Sequence, residues 1–150
     1  DFVSVQKCAG ESPLVLKEYR YGGFGFRGSG EWEGEKGAEF ITSEGKTRKD
    51  GHATTARWCE IRGKVNGETA GVAFLCHPGN FRAPQPMRIH PSEPFFNFTP
   101  CQAGDFQIEP GKPYESRYRM VFHDGAAEPS EVERYWMDYA EPPAVERVKS

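Results

Sequence analysis

The sequence predicts an all-β fold, an antiparallel β-sandwich of the supersandwich-like kind with one short C-terminal helix. Three observations support this prediction: short apolar runs alternate with polar residues, turn-forming residues separate these runs, and aromatic side chains are frequent. The chain has 17 Gly, 12 Pro and 13 % aromatic residues in 150 positions. This length is sufficient for one domain with a hydrophobic core. We therefore expect a single β-sandwich domain over residues 1–150.

The charge balance bears on the class of partner. Nineteen basic and 22 acidic residues give a formal net charge of −3, which favours neither a nucleic acid nor an anionic membrane as a partner. No apolar run approaches the roughly 18 residues of a membrane helix, and the amino end lacks the pattern of a secretory leader. We expect a soluble protein of the cytoplasm or the periplasm.

The first predicted strands lie in the N-terminal third of the chain. Alternating residues at 2–7 and an apolar run at 14–21 predict two strands, and the run A-E-F-I-T at 38–42 predicts a third. Glycines interleave with aromatics between Gly22 and Gly30, but no helical pattern follows them. This spacing therefore fails the dinucleotide-binding fingerprint.

Asn66-Gly67 is the strongest hairpin signal in the chain. With these two as turn residues, strands over 54–65 and 68–76 pair so that Trp58 faces Leu75 and Cys59 faces Phe74. Cys59 and Cys76 are then diagonal, too far apart for an easy disulfide. One face, with Arg57 at its far end, is predicted to be core, and the face carrying Trp58 is predicted to be functional.

The C-terminal half predicts three more strands and the helix. The strands are expected at 93–99, 105–109 and 114–123. Ser130 to Glu133 has the form of a capping box, and apolar residues at helical spacing predict a helix over Ser130–Tyr139. The residues from Val145 onward are expected to form a loose tail.

The loop after the second hairpin strand is the strongest candidate for function. His77 stands at the strand exit, and Pro78, Pro84 and Pro86 hold the following segment extended. Loops that leave a rigid sheet often carry binding and catalytic groups. A simple strand-ending turn explains the same residues equally well.

This loop also carries a family resemblance. The run A-F-L-C-H-P-G-N-F-R-A-P-Q-P-M-R at 73–88 resembles the signature of a bacterial family named methane oxygenase PmoA. Four further stretches match in the family's order: Y-G-G-F-G-F-R-G at 21–28, T-S-E-G-K at 42–46, A-R-W at 56–58 and R-Y-R-M-V-F-H-D-G at 117–125. The resemblance implies that the chain is the C-terminal half of a larger parent protein, whose N-terminal half is then an expected partner.

The sequence lacks a Ser-His-Asp order, a phosphate loop and an H-E-x-x-H motif. What remains is a set of polar residues at loops and strand ends that suits a carbohydrate or carboxylate ligand, since Arg offers paired donors and His exchanges protons near neutral pH. The predicted acid and base are His77 and Glu44. The predicted ligand-binding residues are Arg27, Lys46, Arg57, Trp58, Asn80, Arg82, Arg88 and His123.

Three functions follow, in order of preference. The first is a carbohydrate-processing enzyme of the hydrolase, lyase or epimerase type. The second is a non-catalytic carbohydrate-binding sandwich, which needs Trp32, Trp58 or Tyr21 exposed in a row. The third, implied by the family resemblance, is a metal-dependent oxygenase, for which His52, His77, His90 or His123 would have to converge with a carboxylate.

The expected ligand is a small molecule or carbohydrate. The four cysteines lack a C-x-x-C spacing, which indicates buried free thiols rather than a zinc or redox site. We accordingly expect no metal and no cofactor.

Overall fold

The computed structural model describes residues 1–145, so the end of the predicted tail, 146–150, lies outside the described residues. Ten strands and one helix follow one another along the chain. They are β1 Phe2–Gln6, β2 Leu14–Leu16, β3 Phe24–Arg27, β4 Ala38–Thr42, β5 Trp58–Val65, β6 Glu68–Cys76, β7 Met87–Ile89, β8 Phe95–Phe98, β9 Phe106–Ile108, β10 Tyr114–Asp124 and α1 Pro129–Ala140.

The strands form three antiparallel sheets. The large sheet has the order β1-β10-β6-β5-β4, the small sheet has the order β3-β8-β7, and β2 pairs with β9. The inner face of the large sheet packs against the small sheet through a mostly aromatic and aliphatic core that includes Phe40, Phe74, Tyr118, Phe96 and Phe98. The predicted all-β sandwich with one C-terminal helix is confirmed.

The β5–β6 hairpin forms in the predicted register. Trp58 pairs with Leu75 and Cys59 with Phe74, while Asn66 and Gly67 both take positive φ angles, 51° and 86°, as a tight two-residue turn requires. The four cysteines are unbridged. Local turn chemistry therefore specified the register of the two longest neighbouring strands in the N-terminal two-thirds of the chain.

The helix covers the face that the sequence assigned to function. Trp58, Ala73 and Leu75 are buried beneath Val132 of α1, so the large sheet is covered on both faces. The predicted capping box is wrong. Glu128 is the N-cap residue and makes no side-chain cap, and Pro129 takes the first helical turn, a position that suits its fixed φ and missing N–H.

The strand predicted over 14–21 is shorter than expected. It ends at Leu16, after which Lys17 and the backbone of Glu18 bind the Asp105 carboxylate. The chain from Glu18 to Tyr21 then runs beside the small sheet. Within residues 1–145, no helix has the length and apolar character needed to cross a membrane.

Candidate functional site

All predicted site residues except Lys46 fall into four separate places. Arg57 and Trp58 contact helix α1, with Glu44 beside Arg57 and His77 near the C-terminal end of the helix. Asn80 and Arg82 fasten the loop after β6, and His123 faces a buried glutamate. Arg27 and Arg88 lie on the outer face of the small sheet. Lys46 lies in the tight turn after β4, where its backbone exchanges hydrogen bonds with Thr42.

The first place, which we call the helix junction, is built around Glu133 of α1. Both oxygens of the Glu133 carboxylate accept hydrogen bonds from Arg57 Nη2 at 3.0 Å, and Oε2 also accepts one from Trp58 Nε1 at 2.6 Å. Arg57 lies 3.6 Å from Glu44 on its other side. The side chain of Arg57 therefore points to the helix and not, as predicted, from the core face, because Arg57 precedes β5 and escapes its alternation.

At the helix junction both oxygens of Glu133 are hydrogen-bonded, while Arg57 Nε is buried without a partner in the described chain. Burial acts to raise the pKa of Glu133, but the hydrogen bonds from Trp58 and Arg57 outweigh it and hold the pKa below its usual value. Trp136 Nε1 donates to the Cys76 carbonyl at 2.9 Å, and the Arg57 guanidinium stacks 5.3 Å from the Trp136 ring. The adjoining cavity is small, about 160 Å³. These contacts hold α1 against the sheet.

His77 is half-buried, with its ring edge-on to Tyr139 at 5.2 Å. Its Nδ1 accepts a hydrogen bond from the Gly79 N–H at 3.0 Å, so the neutral ring carries its proton on Nε2. Burial, and next the charge of Arg117, lower the pKa of His77. A ring held in this tautomer presents a donor to solvent and has its lone pair already in use.

Asn80 and Arg82 both bind backbone groups. The Asn80 amide exchanges two 2.7 Å hydrogen bonds with the backbone of Arg117, extending the β6–β10 pairing by one step. Arg82, at a positive φ of 60°, donates to the carbonyls of Pro100, Gly104 and Asp105. These contacts fix the loop. The roles of Asn80 and Arg82 in ligand binding stay predictions.

His123 reaches across β6 to a buried acid that the sequence analysis did not select. Its Nε2 lies 3.3 Å from Oε1 of Glu60, which is 1 % exposed, and its Nδ1 lies 3.1 Å from the Gly125 carbonyl. A Cβ at Gly71 would overlap the His123 ring. Burial raises the pKa of Glu60, although Arg62 and His123 oppose this. The pair lies beneath the connection to α1.

The outer face of the small sheet is the fourth place. Arg27 stacks over Phe95 at 5.6 Å and pairs with Glu93 at 2.7 Å. The Arg88 guanidinium stacks 5.5 Å from the Tyr21 ring, and Tyr21 meets Phe95 edge-on at 5.7 Å. Arginines and aromatic rings thus alternate along one surface.

Several buried polar atoms at this face have no partner within the described chain. They are Arg88 Nε, Asn97 Oδ1, Thr99 Oγ1 and Gln102 Oε1. Arg88 and Asn97 are directly opposite in the β7–β8 pairing, and the N–H of Thr99 binds the carbonyl of Pro86 just before β7. Buried polar groups in proteins are nearly always hydrogen-bonded. Within residues 1–145, this face holds four such atoms, whereas the Glu60–His123 pair holds three and the helix junction one, Arg57 Nε.

An open cavity of about 290 Å³ adjoins Gln102, one of these four residues. It is lined by Glu18, Tyr19, Arg20, His52, Ala53, Pro86 and Gln102. Arg88 Nη1 reaches the cavity wall at His52 Nε2, 3.4 Å away, and since a guanidinium only donates, this nitrogen accepts. Burial, followed by the Arg88 charge, lowers the pKa of His52. We call this cavity, with Arg88 and Asn97 behind it, the small-sheet site.

Sequence reasoning selected Arg88 and noted His52 and Tyr21, but missed Asn97 and Gln102. Asn97 interrupts the aromatic run F-F-N-F, and a polar residue in an apolar strand was the available signal. Gln102 offered no signal, because it reaches the site from a 3₁₀ turn at Pro100–Ala103. Glu133 was read as a cap instead of a partner for Arg57.

A family profile matches residues 1–137, most of the described chain. The chain belongs to DUF6807, a family of unknown function. No curated protein and no solved structure matches this DUF6807 member.

Membership in DUF6807 corrects the resemblance drawn from the sequence. The assignment to a methane oxygenase PmoA family is wrong, since nothing in the match indicates a relationship to methane monooxygenase. In residues 1–145 no three His, Cys, Asp or Glu side chains gather as metal ligands. Of the three aromatics expected in an exposed row, Trp32 and Trp58 are buried and Tyr21 is half-buried.

Proposed function

We propose that this DUF6807 domain binds a small polyhydroxylated ligand of the carbohydrate class at the small-sheet site. The observation that carries the proposal is the set of buried polar atoms without partners on Arg88, Asn97, Thr99 and Gln102, of which Gln102 lines an open cavity. Leaving a buried donor or acceptor unsatisfied costs about 1–3 kcal/mol. Ligand hydroxyls, which both donate and accept, meet such a mixed set directly or through ordered water.

The dimensions and chemistry of the site support a monosaccharide-sized ligand. The cavity volume, about 290 Å³, lies near the lower end of the range for small-molecule sites, roughly 300 Å³. Tyr19 provides aromatic surface in the cavity wall, and its ring lies 5.8 Å from that of Tyr21. An apolar ring face beside polar side chains is the usual composition of a small-ligand site.

The enzyme hypothesis built on His77 and Glu44 has weaker support. The lone pair of His77 Nδ1 is engaged by Gly79, so the neutral ring is poorly set to remove a proton. Glu44 interacts with Ser43 and Arg57, and no hydrogen bond joins Glu44 to His77 within residues 1–145. Binding without a reaction is therefore the function that we propose.

Two histidine variants test this choice. We expect D-galactose and D-glucose, titrated into the ¹⁵N-labelled protein, to shift the amide signals of Tyr21, Ala53 and Gln102 saturably. His52→Ala should weaken this binding at least tenfold, and His77→Ala should leave it unchanged. The proposal is overturned if no sugar shifts these signals, or if only His77→Ala abolishes binding.

A further inference from the structure

Arg88 carries a charge that the described chain does not balance. Arg88 is 9 % exposed. It donates hydrogen bonds through Nη1, to the Ile89 carbonyl at 3.3 Å and to His52 Nε2 at 3.4 Å. Its Nε is buried without a partner in the described chain, as are those of Arg48 and Arg57, so the partners of its Nη atoms are what set Arg88 apart. Among residues 1–145, every other buried or half-buried arginine at a strand has either a carboxylate partner or a set of carbonyls, whereas Arg88 has one carbonyl and a neutral ring.

A buried guanidinium without an anion is costly, because the charge loses its hydration and gains little in return. The cost falls when a carboxylate approaches, since the two groups form parallel, charge-assisted hydrogen bonds. Stacking on Tyr21 at 5.5 Å offsets only part of the cost, because a cation–π contact is weaker than a charge-assisted pair with a carboxylate.

A second arginine adds to the positive potential. Arg20 lies 5.3 Å from the centre of the same Tyr21 ring and lines the cavity. The charges of Arg88 and Arg20 both act on His52, which they help to keep neutral. Glu18, on the cavity wall, is exposed and forms no ion pair with Arg88 in the described chain. One arginine, Arg20, thus lies in the cavity wall, and a second, Arg88, lies behind His52, both against the same Tyr21 ring.

We infer that the ligand of the small-sheet site carries a carboxylate, as a hexuronate does, and that Arg88 binds this carboxylate. The inference rests on the proposed function, because it names the subclass of carbohydrate that the same cavity takes. The carboxylate supplies the missing counter-charge, and the sugar hydroxyls face Gln102, His52 and the Tyr21 ring. The inward position of Arg88, behind the wall formed by His52, favours a compact anionic group over a bulky one.

Pairs of sugars that differ only in a carboxylate test this inference separately from the proposed carbohydrate binding. D-galacturonate and D-galactose differ at one carbon, as do D-glucuronate and D-glucose, so each pair isolates the carboxylate. We expect calorimetric titration at neutral pH to give at least tenfold tighter binding for each uronate than for its neutral partner. Arg88→Met should remove this preference, and Arg134→Met, an exposed position on α1, should retain it.

The outcomes are distinct. Equal affinity for uronates and neutral sugars, or a uronate preference that survives in Arg88→Met, overturns the inference and leaves the proposed function standing. Failure of all four sugars to bind overturns both. The NMR signals of His52 offer a second readout, since a bound carboxylate should raise the pKa of His52 and a neutral sugar should not.

Discussion

The helix junction and the small-sheet site each hold an arginine against an aromatic ring, yet they surround its charge differently. Arg57 stacks 5.3 Å from Trp136 and binds both oxygens of Glu133. Arg88 stacks 5.5 Å from Tyr21 and has no carboxylate within the described chain. A charge whose partner belongs to the fold stabilises the fold. Where the described chain supplies no such partner, as at Arg88, we propose that a ligand does.

The largest expected effect on stability is at the helix junction. Glu133→Gln should lower the free energy of unfolding by about 2–3 kcal/mol, because Arg57 and Trp58 lose a charged acceptor. Asp138→Asn, at an exposed position on the same helix, is the matched control and should change it little. Urea unfolding measures both, and similar stabilities for the two variants would show that the helix junction contributes little.

The ion pair of the helix junction also predicts that stability depends on pH. The pKa of Glu133 is lower in the folded state than in the unfolded chain, so its contribution is complete above about pH 5 and is lost as the pH falls toward the folded value. The stability gap between the parent and Glu133→Gln should therefore narrow in acid. A gap that widens on acidification would contradict the assigned ion pair.

Glu60 is intermediate between Arg57 and Arg88, because its charged partners, Arg62 and His123, only partly offset the cost of burying its carboxylate. Its raised pKa means that the folded state holds its proton more tightly, so its charge costs stability as the pH rises above about 4.3. The urea midpoint of Glu60→Gln should rise relative to the parent between about pH 4 and pH 7. A relative midpoint that falls with pH would show that Arg62 and His123 balance Glu60 fully.

The smallest expected effect concerns His77. His77→Ala should change stability by less than about 1 kcal/mol, because the half-buried ring contributes one edge-on contact with Tyr139. Thermal and urea unfolding of this variant, beside Tyr139→Phe as a control for the contact, measure the effect. A loss well above this figure would make His77 a packing residue.

Much of the fold was predictable because it depends on local chemistry. The Asn66-Gly67 turn set the β5–β6 register, and helical spacing from Val132 located α1 to within a residue or two. What sequence reasoning missed was the helix's position. No local sequence pattern places α1 over Trp58. The face that carries Trp58 was therefore assigned to function, although it is buried beneath the helix.

The candidate site was less predictable for the same reason. Residue type singled out Arg57 and Arg88 alike, since both are arginines near strand ends. Their difference lies in partners distant in sequence, Glu133 for one and none within the described chain for the other. Pairing over such distances is set by packing of the sheets and helix, and neither periodicity nor spacing encodes it.

The most direct test of the comparison replaces each arginine with an apolar residue of similar length. Arg57→Met should lower the free energy of unfolding by about 1–2 kcal/mol, since it strands the Glu133 carboxylate. Arg88→Met, measured by urea unfolding in the same ligand-free buffer, should be neutral or stabilising by up to about 1 kcal/mol, because it removes an unbalanced buried charge. If Arg88→Met instead loses as much stability as Arg57→Met, then Arg88 serves the fold, and the distinction between the two regions fails.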